Sequence, residues 1–281
     1  MLLWDLAVAH LGVTPLAMRW GCGCLGAQLA LYGLFAHALP AGPWTKLPGL
    51  TAHQAICFPL MLYLAVIGVQ AWLLAPPEIA GYGATARSRV LEEHPIGSVL
   101  SQIVLGELLL WDIPCSLFVA DLREGLMVAH HIGMAIVASS STRPLFSFYA
   151  TFFFGAIEVS GVPLSIVDLF HPKHKHWAEY EKTAPRFAAV NEAARICFAA
   201  AYLPLRACYF PWVVAMHAIP DILEVINQIP ADERPHAPDL ALYGVITFGV
   251  AFSVLQIYWG VLVFKQVLKV LGVGPKSTKK A

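Results

Sequence analysis

The sequence predicts an all-α protein, a polytopic transmembrane helix bundle of about seven spans (six to eight). Three observations carry that prediction. Of the 281 residues, 58% are hydrophobic and only 13% are charged, against about 25% charged residues in an ordinary soluble domain. The apolar residues gather into runs long enough to cross a bilayer. No polar stretch is large enough to enclose a core of its own.

Windows of about 20 residues put spans near 20–39, 52–75, 97–120, 124–141, 145–169, 188–210 and 240–264; the fourth is short. Segment 211–228 is interrupted by Pro211 and Pro220 and charged at Asp221 and Glu224. It reads as a broken or re-entrant continuation of the sixth span. The opening 18 residues contain Asp5, His10 and Pro15, and read equally as an interfacial helix or a further span. They lack the basic start of a signal peptide, so entry through an internal span is expected. The chain thus divides into an interfacial and first-span region (1–45), a membrane domain (46–270) and a lysine-rich tail (271–281).

Net charge is zero, which removes the electrostatic case for nucleic acid. Lys173, Lys175, Lys182 and Arg186 lie in the polar loop 171–186, and Lys265, Lys269, Lys276, Lys279 and Lys280 lie at the end of the chain. Two spans or one hairpin separate the two groups, so they fall on one side, and positive-inside makes that side cytosolic. Six cysteines form no CxxC pair. They read as small buried hydrophobes, with a reactive or lipidated Cys22–Cys24 pair as the alternative.

Ionisable groups within spans cost roughly 2.5–3.5 kcal/mol each to insert and mark a cavity or a partner. They are Glu107 and Asp112 in the third span, His130 and His131 in the fourth, Glu158 in the fifth, and Arg195 and Arg206 in the sixth. Contributions from consecutive spans point to a shared interior site. Arg195 and Arg206, eleven residues apart, would share a face of an unbroken helix, although Pro204 can kink it. His130 and His131 lie about 100° apart around theirs, so one can face a cavity while the other bonds a neighbouring helix. Asp112 is a candidate partner for an imidazole, and Glu158 for an arginine.

Near neutral pH an imidazole accepts or donates a proton, or attacks an activated acyl carbon such as a thioester. The structural alternative is a pair of histidines that holds helices together. A di-iron site needs more histidine boxes than this chain has. His171, His174 and His176 are expected at the headgroup surface, so no metal is assigned. In "AIEVSGVPL", Glu158 and Ser160 read either as a kinked helix paired to an arginine or as the polar wall of a lipid pocket.

In this order, "LLLWDIP", "MVAHHIGM", "AIEVSGVPL", "FAAAYLPLRACYFPW" and "LQIYWGVLVFKQVLK" resemble the TLC-domain family, which includes the ceramide synthases, over roughly residues 50–268. The resemblance implies helices closing around a lipid-accessible cavity. It implies catalytic roles for His130, His131 and Asp112, and lipid contacts from Glu158, Ser160, Arg195, Arg206 and Trp259. Ceramide synthases carry a His-Asp and a further Asp on the next helix, where this chain has Glu158-Val159-Ser160. The chain therefore looks more like the TLC-domain-containing branch, whose members influence membrane lipid composition. Three readings follow: a lipid-handling protein with an acyl pocket, an acyl-CoA-dependent N- or O-acyltransferase, and a structural subunit of a membrane complex. The expected ligand is a membrane lipid or acyl-CoA, with no covalently bound cofactor, and the expected location is the endoplasmic reticulum.

Overall fold

The computed structural model describes residues 12–79 and 81–272. Most of the opening segment and all but two residues of the lysine-rich tail, with Lys276, Lys279 and Lys280, lie outside the described residues. Among those described there is no strand.

Helix α1 (Pro15–Gly33) starts on Thr14, whose Oγ1 accepts the Ala17 N–H, with Pro15 at the first helical position. That residue type suits an N-terminus, where a missing N–H costs nothing. A short α2 (Pro43–Lys46) leads into α3 (Pro48–Leu74), and α4 spans Ala86–Phe118. Then come α5 (Gly125–Ser141) and a bent pair, α6 (Ser147–Phe153) and α7 (Gly161–Leu169). The surface helix α8 (Lys175–Thr183) precedes two long helices, α9 (Pro185–Gln228) and α10 (Asp239–Val270). Helix α4 lies at the centre: 67% of its apolar window is buried, against 17% for α9 and 22% for α10. The cavity described below therefore has α9 and α10 as its outer walls.

Among the described residues, four helices (α3, α4, α9 and α10) are long and apolar enough to cross a membrane, and five if the α6–α7 pair, bent by 44°, is one span. The seven expected spans included two that fall short of this. The 20–39 region is largely helical but not apolar enough, with Gln28, His37 and several glycines. Helix α5 has 17 residues, about 26 Å of rise against a hydrocarbon core of about 30 Å.

Segment 211–228 is neither broken nor re-entrant. It continues α9 as a single helix of 44 residues. Its prolines are absorbed by two π turns, Leu203–Tyr209 and Val214–Ala218. Proline lacks an N–H and crowds the carbonyl four residues back; i→i+5 spacing relieves both without ending the helix. The far part of α9 is tied down by a buried cluster. Asp221 accepts two bonds from Arg89, at 2.5 and 2.6 Å, and one from the Tyr149 hydroxyl.

In lipid, helices associate through close packing more than through the hydrophobic effect. Gly68 of α3 and Gly155 beside α6 touch backbone to backbone: a Cβ on Gly68 would sit 2.2 Å from the Gly155 carbonyl carbon. Gly68→Val should therefore abolish the monodisperse peak in detergent size-exclusion, whereas Gly26→Val, where a Cβ meets nothing within 4 Å, should keep it.

Helices α9 and α10 run antiparallel, with the Tyr202 hydroxyl bonded to Gln256. The loop before α8 and the C-terminal end of α10 thus share one end of the bundle, with Lys173, Lys175, Lys182, Arg186, Lys265 and Lys269 at or near it.

Candidate functional site

Pro114 follows Asp112 by two residues, and the helix answers with a π turn over Leu108–Asp112. That turn holds Asp112 inside the bundle, 7% exposed. Its Oδ1 lies 2.9 Å from His131 Nδ1 of α5 and 3.8 Å from His53 Nε2 of α3, and accepts the Ser116 hydroxyl at 3.1 Å. One carboxylate therefore stands between two imidazoles from two other helices, close to His131 and beyond hydrogen-bond distance of His53. The His53 ring is stacked on Trp111, with centroids 4.6 Å apart. Trp111 Nε1 donates to Gln28 Oε1, and Gln28 Nε2 donates to the Gly49 carbonyl. These bonds fix the indole against which His53 rests. Cys57 Sγ, one turn further along α3, is 3.4 Å from His53 Nδ1.

His130 points elsewhere. It stands edge-on to Phe252 (5.2 Å) and Trp259 (5.4 Å) of α10, and its buried Nδ1 has no hydrogen-bond partner. It lines a cavity of about 610 Å³, counting the open mouth, between α5, α6, α9 and α10. The walls are apolar, among them Met134, Phe153, Phe210, Val214 and Phe252. The polar lining residues are His130, Arg206 and Gln256. From Gln256 to Val245 the wall follows about 16 Å of helix rise, close to half the ~30 Å hydrocarbon thickness. That is the depth one lipid tail occupies in its leaflet.

Behind the cavity, Arg206 Nε donates to Ser160 Oγ at 2.7 Å and Nη2 meets Glu158 Oε2 at 2.9 Å. Glu158 is buried where the chain bends between α6 and α7. It is held close by Gly161, where a Cβ would come within 2.3 Å of its Oε2. Glu107 is also buried, its Oε2 without a hydrogen-bond partner, within electrostatic reach of Asp112 and Glu158. The His130 and His131 rings lie 5.6 Å apart, and His130 and Arg206 line the same cavity. The two pairs and the two remaining groups thus form one interior polar region, with His130 and Arg206 as its face onto the cavity.

Asp112 joins His131, Glu158 and Ser160 join Arg206, and Trp259 flanks His130. Arg195 does not join them. It is exposed on α9, and the π turn from Leu203 to Tyr209 interrupts the helical register between it and Arg206. Nor is the histidine loop wholly at the surface: His174 is 1% exposed, beneath α8 and 3.9 Å from Asp168. Burial, and then the Lys173 cation, hold the neighbouring His171 imidazole below its usual value. Among the described residues, no three His, Cys, Asp or Glu side chains group to hold a metal ion. Cys24 and Cys115 are buried, but Cys22, Cys197 and Cys208 are exposed on helix surfaces. The sequence reading missed His53, which stands at the edge of its span, and the Arg89–Tyr149–Asp221 cluster, whose members are far apart in the chain.

A helical bundle with apolar outer walls, an interior carboxylate–imidazole cluster and an apolar cavity leading to it defines an integral membrane protein with a buried polar site. The TLC-domain model matches residues 54–265, and the chain belongs to the TLC-domain family. The match takes in Asp112, His130, His131, Glu158, Arg206 and Trp259 and begins one residue after His53. No curated protein and no solved structure shows a significant match to the chain.

Proposed function

We propose that this protein handles lipid within the membrane, holding one acyl chain in the cavity with the polar start of that chain at His130, Arg206 and Gln256, and that it influences membrane lipid composition. The observation that carries this is His130: a buried imidazole with an unpartnered nitrogen at the polar end of an otherwise apolar cavity. A buried polar atom left unmatched costs about 1–3 kcal/mol, and a ligand carbonyl or hydroxyl would remove that cost.

A second reading, acyl transfer from acyl-CoA to an amine or hydroxyl, is favoured by the His131–Asp112 contact at 2.9 Å. A buried carboxylate on one ring nitrogen orients the imidazole and stabilises its protonated form, as an oriented general base requires. Residence in the endoplasmic reticulum rests on the family resemblance. The basic end faces the cytosol by the positive-inside rule, which would let the lysines there meet CoA phosphates.

Mass spectrometry of lipid that survives purification tests the first reading. A retained single-chain acyl lipid, lost in His130→Phe with the elution profile kept, is the expected result; a protein with no bound lipid, unable to take up an added photoreactive acyl lipid, would sink it. Incubation with labelled acyl-CoA and an amine or hydroxyl acceptor tests the second. Turnover that disappears in His131→Gln supports it, and the absence of any product across acceptor classes defeats it.

A further inference from the structure

We propose that Glu158 makes the polar end of the cavity electrically neutral, so that the cavity takes an uncharged acyl derivative, with an ester, amide or thioester carbonyl, and excludes the corresponding fatty-acid anion. This rests on the acyl-pocket reading above.

Arg206 is the only cation among the residues that line the cavity, and an arginine at the end of an apolar tunnel would ordinarily invite a carboxylate. Here its charge is already matched. Glu158 Oε2 stands 2.9 Å from Nη2, both side chains are about nine-tenths buried, and Ser160 Oγ occupies Nε. Gln256 has its carbonyl oxygen filled by the Tyr202 hydroxyl, which leaves its amide N–H groups as donors. Asp112 is engaged by His131 on the far side of α5. The cavity end therefore offers hydrogen-bond donors without net charge. A neutral carbonyl accepts those bonds at little cost. A carboxylate would add an uncompensated negative charge beside the already matched Arg206–Glu158 pair, in a medium where such a charge is expensive.

The test uses the purified full-length protein and a photoreactive acyl methyl ester as probe. Methyl palmitate and palmitate compete with it at a pH where the acid is ionised. The ester should displace the probe at a concentration lower than the acid by about tenfold or more. Equal or better displacement by the acid overturns the charge filter and leaves the acyl pocket standing. Failure of both, with no probe incorporated, overturns the pocket reading and this inference with it. Glu158→Gln keeps an oxygen for Arg206 but uncovers its charge, and should raise affinity for palmitate relative to the methyl ester by about tenfold. Unchanged palmitate binding in that folded variant also refutes the proposal. If the variant does not fold, the wild-type comparison decides.

Discussion

Glu158→Leu alone is expected to cost about 3–5 kcal/mol, because it strands the Arg206 guanidinium in a buried site. Arg206 is tied to Ser160 and Glu158 across the bend between α6 and α7, and the wall of the cavity is built on that tie. Leaving the cation unmatched should shift detergent thermal unfolding down sharply or send the protein to aggregate. The double variant Glu158→Leu/Arg206→Met removes both charges and should recover most of the loss, since apolar replacement of a whole buried pair is often neutral or stabilising. The check is a double-mutant cycle by thermal melts. Single variants as stable as the wild type would mean that the two charges do not depend on each other. Glu158→Gln should fall between, because its amide oxygen can still accept from Arg206.

Asp112→Ala is expected to be the most damaging single change at the histidine cluster. It removes the carboxylate that His131 meets at 2.9 Å and that accepts the Ser116 hydroxyl, leaving both without that polar partner, at about 1–3 kcal/mol for each unmatched buried atom. Asp112→Asn keeps the shape and one acceptor oxygen, and so should fold. If acyl transfer is the activity, the asparagine variant should nonetheless lose it by on the order of 10²–10⁴-fold, the usual worth of an oriented acid–base group. An asparagine variant that folds and turns over at the wild-type rate would assign the cluster a purely structural role. A folded, lipid-loaded alanine variant would show that the carboxylate is needed for neither.

Much of this was legible from residue types alone. Charged residues inside apolar runs are so costly in lipid that Glu107, Asp112, His130, His131, Glu158 and Arg206 stand out without coordinates, and all six are wholly or largely buried. The split between the two adjacent histidines follows from the helical repeat. Arg195 was equally conspicuous yet lies outside the site, and the rule that aligned it with Arg206 assumes an unbroken register. Pro204 signalled a disturbance of that helix, but a proline does not say whether the answer will be a kink, a break or a π turn. His53 escaped notice for the opposite reason. At a span edge a histidine costs little, so nothing in its position marks it, and only the crossing of α3 over Trp111 brings it to Asp112.

By itself the sequence determined what must be buried and in which medium. Hydropathy made the chain a membrane bundle, the cost of charge in lipid named the interior residues, and the ordered motifs identified the family. Only the tertiary structure decided which of those residues meet. Pairing depends on helix register and crossing, and both were reset locally by π turns at Leu108–Asp112 and Leu203–Tyr209 and by glycine contacts such as Gly68–Gly155. The free energy that selects those geometries comes from contacts between residues distant in the chain, and no window of the sequence contains it.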